Sequence, residues 1–310
     1  MSHSIKVFAP GTVANVGCGF DVLGFAIHGP GDKIIMRLNE TKKVSVESIT
    51  GDNGSLSKKA SENTASVAVL AMLKKLKSKQ GLSIELHKQM PLKSGLGSSA
   101  ASAVAGVFAL NELLHKPFSK EELIPFAMEG ERVACGSAHA DNVAPSMLGG
   151  LVLVRSLNPL QVIKINSPSK LFCCVVHPHL ELATKKSRAA LPKQIPLQTA
   201  VKQWANVGGL VAGFMKKDFA LIGSSIEDFV AEPNRSKLIK GFDAVKKAAM
   251  KAGALGCSIS GSGPTVFALS DDKEKCKLIA NAMQAAFLKV GVGSEQYVSK
   301  INNQGVKIIS

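Results

Sequence analysis

The 310-residue sequence has no apolar run that is long enough to cross a lipid bilayer. Its most apolar stretch, Ala100–Leu110, is shorter than the roughly 18 residues that a membrane-spanning helix needs, and Asn111 follows it. A secretory signal core is also missing, because Gly11, Asn15 and Asp21 interrupt the apolar residues near the N-terminus. These absences predict that the protein works in the cytoplasm and has no membrane partner.

Disulfide and zinc-binding patterns are lacking as well. The six cysteines form no C-x-x-C pair and have no histidine at the spacing of a zinc site. They lie in apolar or glycine-rich segments, where a free cysteine packs like a small apolar residue. We therefore expect reduced thiols, as in a cytoplasmic protein.

Acidic residues are in the minority, because 38 Lys and Arg face 23 Asp and Glu and give a formal net charge of +15. A basic protein can bind nucleic acid. However, the Lys-Lys pairs begin at positions 42, 58, 74, 185, 216 and 246, spread along the chain, and one Trp and one Tyr leave few rings for base stacking. We therefore expect no nucleic-acid partner and interpret the charge as a surface that attracts phosphorylated small molecules.

The composition is that of a folded protein. Hydrophobic residues make up 45% of the chain and charged residues 20%, proportions that exclude a disordered polyelectrolyte. The chain is longer than one typical domain of about 100–200 residues. Strand-like and helix-like segments mix without the regular alternation of a doubly wound sheet. We therefore predict an α+β protein of two closely packed domains, residues 1–160 and 161–310.

Hydrophobic periodicity and turn signals indicate the individual elements. Ser61 is the predicted N-cap of the first helix, a Lys/Arg-rich loop is predicted at 184–188, and a polar tail is expected after residue 290. The predicted strands are 5–9, 33–38, 43–48, 82–87, 149–155, 171–176, 257–260 and 265–269. The predicted helices are 61–77, 99–114, 121–135, 198–216, 238–252 and 273–290.

The most informative segment is PLKSGLGSSAAS at residues 91–102, which leads into a predicted helix. Gly95 and Gly97 let backbone N–H groups approach an anion closely, and the start of the helix adds N–H groups and the positive end of its dipole. The hydroxyls of Ser98 and Ser99 can complete such a cradle or bind Mg²⁺. We therefore predict a phosphate-binding loop, although a Gly-Ser turn before a core helix would explain this segment alone.

Two common nucleotide-binding motifs fit this segment poorly. It is not a Walker A loop, because no Lys-Ser/Thr follows the second glycine. The spacing Gly95-x-Gly97-x-x-Ala100 satisfies the loose dinucleotide fingerprint, but no acidic residue ends a second strand about 20 residues further on. We therefore do not expect a Rossmann domain.

Two further glycine-rich loops occur far away in the sequence. One, at residues 256–265, joins two apolar segments, and the other, at residues 15–21, carries Asn15 and Asp21. Three such loops in one chain predict that they converge on a polar ligand.

The three loops resemble the motifs of the GHMP kinases. APGTVANVGCGFDVLG resembles the first motif, PLKSGLGSSAAS the phosphate-binding motif and GCSISGSGPT the third, in the family's order and across nearly the whole chain. Segments 17–21, 136–145 and 184–188 resemble the homoserine kinase family in particular. The resemblance implies a GHMP-kinase fold, with an ATP-binding N-terminal domain like ribosomal protein S5 domain 2 and a ferredoxin-like C-terminal domain.

The resemblance also implies ATP and Mg²⁺ as cofactors. Glu131 and a serine hydroxyl, from Ser99 or alternatively Ser98, match the family's Mg²⁺ ligands, which are hard oxygen donors suited to that ion. Thr184 matches a hydroxyl near the transferring phosphate, and Asn63 a residue near the adenine. The residues that match the ATP-binding loop are Pro91, Leu92, Lys93, Ser94, Gly95, Leu96, Gly97, Ser98, Ser99, Ala100 and Ala101.

The substrate that the resemblance implies is L-homoserine. Arg188 and Arg235 match residues that hold its α-carboxylate, a task suited to the planar guanidinium. Asn15 and Asp21 match the pair that binds its α-ammonium. The remaining matches to the substrate site are Asn142 at the reacting hydroxyl, His139 beside it, and Gly263. The family also implies a possible homodimer.

Three residues, Glu131, Asn142 and Thr184, are the implied catalytic residues. We expect no dedicated general base: Asn142 orients the hydroxyl, its proton leaves to the phosphate, and Asp141 supports the loop. Two alternatives stay open at this point. The chain could phosphorylate a different alcohol within the same superfamily, or it could be a non-catalytic ligand- or nucleic-acid-binding relative.

Overall fold

Two β-sheets form the framework of the computed structural model, which describes residues 4–136 and 139–310. The strands of the first sheet are β1 (Ser4–Ala14), β2 (Leu23–Asn39), β3 (Val44–Thr50), β4 (Gly81–His87), β5 (Leu151–Leu157), β6 (Leu160–Ile165) and β11 (Lys307–Ile308). They follow the order β11-β1-β2-β4-β3, with β5 paired to β2 and β6 paired to β5. Because β1 and β2 are antiparallel neighbours, the first glycine-rich loop connects two adjacent strands.

The helices on the first sheet are α1 (Thr64–Lys75), α2 (Ser98–Leu113), α3 (Lys120–Cys135) and α4 (Ala140–Leu148). α2 is buried along almost its whole length, between the sheet and the helices α1 and α3. Small residues allow this close packing: a Cβ atom on Gly106 would lie 2.9 Å from the carbonyl oxygen of Ala65. The predicted phosphate loop therefore leads into the central helix of this half of the molecule.

The second sheet is antiparallel and confirms the predicted ferredoxin-like topology. Its strands are β7 (Phe172–Pro178), β8 (Gly256–Ile259), β9 (Val266–Ser270) and β10 (Ser294–Lys300). Their order is β10-β7-β9-β8, which is the 4-1-3-2 order of a βαββαβ unit. The helices of this half are α5 (Thr184–Ala189), α6 (Leu197–Lys216), α7 (Phe219–Ser224), α8 (Glu232–Arg235), α9 (Phe242–Lys251) and α10 (Lys273–Lys289). Within the described ranges, no helix combines the length and the apolar character that a membrane crossing requires.

One apolar core joins the two halves. Its buried members include Leu23 and Phe25 of the first sheet and Val175 and Phe267 of the second. The rings of Phe25 and Phe267 meet edge to face, with their centroids 6.0 Å apart and their planes at 81°. A second apolar core lies between the second sheet and the helices α9 and α10.

Several predicted elements differ from the structure. Asn63 rather than Ser61 caps α1, because its Oδ1 accepts a hydrogen bond from the Ala65 N–H. The predicted loop at 184–188 is the helix α5, and α4 has no counterpart among the predicted helices. The predicted polar tail contains β10, an edge strand that is only partly buried, which explains its polar sequence.

The predicted domain boundary between residues 160 and 161 stays a prediction. In the first sheet, β6 continues to Ile165, and β11 pairs with β1 through Val7 and Phe8. The first sheet is therefore completed by residues 307–308 from the other end of the sequence.

Candidate active site

The three glycine-rich loops meet between the two sheets. The Thr12 N–H donates to the Leu96 carbonyl at 3.0 Å, and the Gly261 N–H donates to the Ala14 carbonyl at 3.0 Å. The Ser260 hydroxyl donates to the Gly95 carbonyl at 2.7 Å. The three loops therefore lie together, and their convergence on a polar ligand stays a prediction.

Glycine is required where these loops touch. Gly95 and Gly97 have φ angles of +82° and +67°, in the left-handed region that favours glycine. A Cβ atom on Gly95 would lie 2.5 Å from the Ser260 carbonyl oxygen, and one on Gly97 would lie 2.1 Å from the Thr12 hydroxyl oxygen. Gly263 has a φ of +80°, and its carbonyl oxygen would lie 2.9 Å from the same Cβ atom on Gly95.

The phosphate loop ends at the N-terminus of the buried helix α2. Gly97 occupies the N-cap position, and no side chain caps the helix there. The hydroxyl of Ser98, the first helical residue, is buried and has no hydrogen-bond partner in the described part of the chain, whereas Ser99 is partly exposed. An uncapped helix start with a buried hydroxyl is suited to an anionic ligand or its counter-ion.

A buried ion pair beneath this loop has no signal in the sequence. Lys88 pairs with Asp32, and both side chains are almost completely inaccessible to solvent. The Lys88 ammonium also donates at 2.8 Å to the Ser98 carbonyl and at 2.8 Å to the Ser102 hydroxyl. Lys88 and Asp32 therefore fix the first turn of α2 from behind.

Asp21, His139 and Arg188 form one cluster at the rim of the loops. Two guanidinium nitrogens of Arg188 donate to the two Asp21 oxygens, at 3.0 and 2.9 Å. The Nη2 atom of Arg188 also lies 3.1 Å from Nε2 of His139. Burial lowers the pKa of His139, the neighbouring Arg188 lowers it further, and Asp21 opposes both effects. The cluster therefore favours a neutral imidazole.

Asn15 fixes the loop that carries Asp21. Its Oδ1 accepts from the Asp21 backbone N–H at 3.1 Å, and its Nδ2 donates to the Gly261 carbonyl at 2.8 Å. The structure therefore brings Asn15 and Asp21 together, and the Asn15 amide hydrogen-bonds to the first and the third glycine-rich loops.

Arg235 is a buried cation at the same place. Only 3% of its surface is exposed, and its guanidinium donates to the carbonyls of Gly261 and Ser187, at 2.9 and 3.3 Å. Burial and the nearby Arg188 lower its pKa. Among the described residues no carboxylate lies within ion-pair distance of Arg235, although the charges of Asp21 and Asp228 raise its pKa from further away. An anion bound at the guanidinium would pair with it directly.

Asn142 lies on α4, opposite the phosphate loop. Its Oδ1 accepts a hydrogen bond from the Thr12 hydroxyl at 2.7 Å. The same oxygen would lie 2.7 Å from a Cβ atom on Gly97. Asn142 therefore lies beside the phosphate loop, and its role at the reacting hydroxyl stays a prediction.

The other two predicted catalytic residues lie on separate elements. Glu131, on α3, is buried with 5% of its surface exposed, and its charge contributes to the raised pKa of Asp141. Thr184 begins α5, and its hydroxyl lies 3.3 Å from that of Ser262 in the third loop. In the same helix, the Ser187 hydroxyl donates to the Ser262 carbonyl at 2.7 Å.

Asp141, which the sequence analysis expects to support the loop beside Asn142, is a buried carboxyl. Burial is the main cause that raises its pKa to about 7, and the charges of Asp21 and Glu131 raise it further. Its Oδ1 has no hydrogen-bond partner in the described chain. Below about pH 7 this side chain is therefore neutral.

Replacing Asp141 by asparagine should make the folded protein more stable at pH 8. Between pH 3.8 and about 7 the folded state keeps a proton that the unfolded state releases, so wild-type stability falls as the pH rises through this window. The shift corresponds to roughly 4 kcal/mol, which Asp141→Asn should regain at pH 8 and not at pH 4. Urea unfolding of both proteins at the two pH values measures the difference. A difference that is the same at both pH values would contradict the raised pKa.

A cavity of about 310 Å³ lies beside the phosphate loop. Pro91 and Leu92 line it, together with residues that sequence reasoning missed. Those residues are Gly51, Asp52, Asn53, Ser55, His177, His179, Leu180 and Glu181. Asn63 does not line this cavity; its Nδ2 donates to the Ser57 carbonyl at 3.1 Å while its Oδ1 caps α1.

The structure gives limited information on the segment 136–145 and on a metal site. In the segment 136–145, Ser137 and Ala138 lie outside the described residues. No group of three or more His, Cys, Asp or Glu side chains in the described ranges could hold a metal ion by itself.

Family models and similar sequences agree on the family. The model for the GHMP kinases N terminal domain matches residues 63–150, and the model for the GHMP kinases C terminal domain matches residues 210–289. The homoserine kinase of Chlorobaculum tepidum is 52% identical to this chain, over 99% of the chain and 98% of the relative. The homoserine kinase of Arabidopsis thaliana is 43% identical, over 99% of the chain and 85% of the relative.

Solved structures confirm the predicted GHMP-kinase fold. The crystal structure of homoserine kinase from Cytophaga hutchinsonii is 58% identical, covers 99% of this chain and 97% of its own, and gives a TM-score of 0.96. The structure of L. major mevalonate kinase, 18% identical with 97% of both chains covered, shares the fold at a TM-score of 0.73. The chain therefore belongs to the homoserine kinase family of the GHMP kinases, ATP-dependent enzymes that phosphorylate a hydroxyl group.

Proposed function

We propose that the protein transfers the γ-phosphoryl group of ATP to the side-chain hydroxyl of L-homoserine, giving O-phospho-L-homoserine, a precursor of threonine. The observation that carries the proposal is the Arg188–Asp21 pair beside the buried cation Arg235. An amino-acid zwitterion has one carboxylate and one ammonium, which match these charges. A neutral sugar would leave them unused.

The two guanidiniums are proposed to bind the α-carboxylate. Arg235 supports this role because it is buried without a carboxylate partner in the described chain, a situation that a bound anion relieves. Arg188 adds a planar set of N–H donors. The α-ammonium would bind to Asp21, which Asn15 holds in place. His139 and Gly263 complete the proposed substrate site.

ATP is proposed to lie along residues 91–101. The support is the pair of left-handed glycines, the start of α2 and the cavity of about 310 Å³ at Pro91 and Leu92, a volume that suits part of a nucleotide. Asn63 is proposed to offer its second amide hydrogen to the adenine, since its Oδ1 caps α1 and its first amide hydrogen is donated to the Ser57 carbonyl. Leu92→Trp should narrow the cavity and raise KM for ATP without changing KM for L-homoserine.

Mg²⁺ is proposed to bind to Glu131 and one serine hydroxyl. A carboxylate and a hydroxyl suit this ion, which takes its other ligands from phosphate and water. The buried hydroxyl of Ser98, without a partner in the described chain, supports Ser98 as the ligand in place of Ser99. When bound, the ion supplies positive charge next to the transferring phosphoryl group.

Asn142 is proposed to orient the attacking hydroxyl. Because its Oδ1 already accepts from Thr12, its Nδ2 is the group that can donate to the hydroxyl oxygen. An amide nitrogen in this role does not take up a proton, so the proton would pass to the transferred phosphoryl group. Thr184 would donate a hydrogen bond to that group. Loss of turnover in Asp141→Asn, with substrate affinity and fold intact, would make Asp141 the base and overturn this part of the proposal.

Several broader features belong to the same proposal. Residues 1–160 would form the ATP-binding domain and residues 161–310 the C-terminal domain. Among the cysteines whose side chains the structure describes, five are free and buried, which supports a reducing compartment such as the cytoplasm: Cys18, Cys173, Cys174, Cys257 and Cys276. A homodimer and the absence of a nucleic-acid partner are testable by analytical ultracentrifugation and by gel shift.

The experiment that tests the function is ADP release with Mg-ATP and a panel of alcohols. The panel contains L-homoserine, D-homoserine, L-serine, mevalonate and galactose. Turnover confined to L-homoserine is the expected result, because it alone presents the hydroxyl and both charges in the required arrangement. Turnover with mevalonate or galactose instead would overturn the substrate site, and silence across the panel would overturn the proposed activity.

A further inference from the structure

We propose that Phe20 is a positioning residue that sets how strongly the site selects a substrate carboxylate. The centre of its ring lies 5.3 Å from the Arg188 guanidinium carbon and 5.1 Å from the Arg235 guanidinium carbon. Both distances are within the range of cation–π attraction. The inference rests on the proposed function, in which these two arginines bind the α-carboxylate.

A single neutral ring that attracts both guanidiniums offsets the repulsion between the two cations of this site. Arg188 and Arg235 repel each other, and Arg188 contributes to the lowered pKa of Arg235. The Asp21 carboxylate offsets part of this repulsion, but its two oxygens accept hydrogen bonds from both terminal nitrogens of Arg188. The face of an aromatic ring attracts cations through its quadrupole and leaves their N–H donors available.

The backbone around Phe20 keeps the ring in this place. Gly19 donates its N–H to the Asn15 carbonyl at 2.7 Å, and Asn15 Oδ1 accepts from the N–H of Asp21 at 3.1 Å. A Cβ atom on Gly19 would lie 2.5 Å from the side chain of Leu23, so the turn is closely packed. Phe20 therefore extends from a turn that is held on both sides.

Core packing does not explain this phenylalanine. Phe20 belongs to neither of the two apolar clusters and is partly exposed, although the chain has only 15 aromatic residues in all. Its ring contacts the two cations of the proposed carboxylate site instead. The expected effect of changing it is therefore a change in ligand selection rather than in stability.

The test compares L-homoserine with 3-aminopropan-1-ol, which is the same molecule without its carboxylate. Phe20→Leu keeps an apolar side chain and removes the ring. We expect kcat/KM for L-homoserine to fall about tenfold, as the loss of one to two cation–π contacts predicts. The values for 3-aminopropan-1-ol and KM for ATP should stay unchanged, and Phe20→Tyr, which keeps the ring, should behave like wild type.

Inhibition by L-2-aminobutyrate, which keeps both charges and lacks the hydroxyl, gives a second measurement. Its inhibition constant should rise about tenfold in Phe20→Leu and stay unchanged in Phe20→Tyr. The matched control is Phe172→Leu, which removes a ring that lies 5.6 Å from Lys300 on the second sheet, and it should leave all these values unchanged.

The outcomes separate the inference from the function on which it rests. If the wild type does not phosphorylate L-homoserine, the proposed function fails. If the wild type does so, and Phe20→Leu loses the same factor on L-homoserine and on 3-aminopropan-1-ol, Phe20 has a general structural role and the inference is wrong. An unchanged inhibition constant for L-2-aminobutyrate would also overturn it.

Discussion

Replacing Arg188 by alanine should lower kcat/KM for L-homoserine by about 10²–10³-fold and leave KM for ATP close to the wild-type value. The change removes one of the two proposed carboxylate-binding cations. It also removes the two hydrogen bonds that Arg188 donates to Asp21. The Asp21 carboxylate then has no guanidinium partner and repels the substrate carboxylate as it approaches. Breaking a fully buried pair costs about 3–5 kcal/mol. Arg188 is 38% exposed, so the lower part of that range applies.

Two further variants show whether the geometry or the charge of Arg188 matters. Arg188→Lys keeps the charge but loses the planar arrangement of donors, so its kcat/KM should fall between alanine and wild type. Arg155→Ala removes an exposed arginine on β5 and should have no effect. Steady-state kinetics with both substrates varied gives kcat/KM for the wild type and the three variants. If Arg188→Ala raised KM for ATP and not KM for L-homoserine, the substrate site would be wrongly placed.

Replacing Glu131 by glutamine should lower kcat by about 10³-fold, the size expected when one charge that stabilises a transition state is removed. Glutamine keeps the shape of the side chain and an oxygen acceptor but loses the negative charge that a divalent cation needs. The side chain is buried, with 5% of its surface exposed, so water does not replace the lost charge readily. The Mg²⁺ concentration for half-maximal rate should rise as well.

Glu129 provides a matched control on the same helix. Its carboxylate is 44% exposed and pairs with Arg132 on the surface, so Glu129→Gln should retain wild-type kinetics. Initial rates over a range of Mg²⁺ concentrations at saturating ATP measure both variants. Wild-type kcat with an unchanged Mg²⁺ dependence in Glu131→Gln would exclude Glu131 from the proposed metal site.

The parts of the site that the sequence predicts well depend on backbone conformation. Gly95 and Gly97 adopt left-handed φ angles and lie too close to neighbouring loops for a Cβ atom. Such a requirement leaves glycines at fixed positions in the sequence, where they can be recognised. The sequence also predicts the helix α2 that follows them, because a long run of small apolar residues is typical of a buried helix.

The parts that the sequence does not predict depend on contacts between distant segments. Lys88 and Asp32 are separated by 56 positions, and neither belongs to a pattern that links it to the other. The helix α5 spans six residues, too few for hydrophobic periodicity, and Ser187 ties it to the third loop through Ser262. The cavity beside Pro91 is lined by residues from both halves of the molecule, so its outline follows from the folded chain alone.

The hydrogen bonds of the phosphate loop also concern the cooperativity of the whole molecule. The loop belongs to the first half, yet its Ser94 carbonyl accepts from the Thr265 N–H at 3.2 Å and its Gly95 carbonyl accepts from the Ser260 hydroxyl of the second half. Together with the shared core at Phe25 and Phe267, these bonds leave neither half a complete unit by itself. The two halves should therefore unfold together in one transition. A ligand that binds the loop raises the free energy of unfolding of both sheets by the same amount.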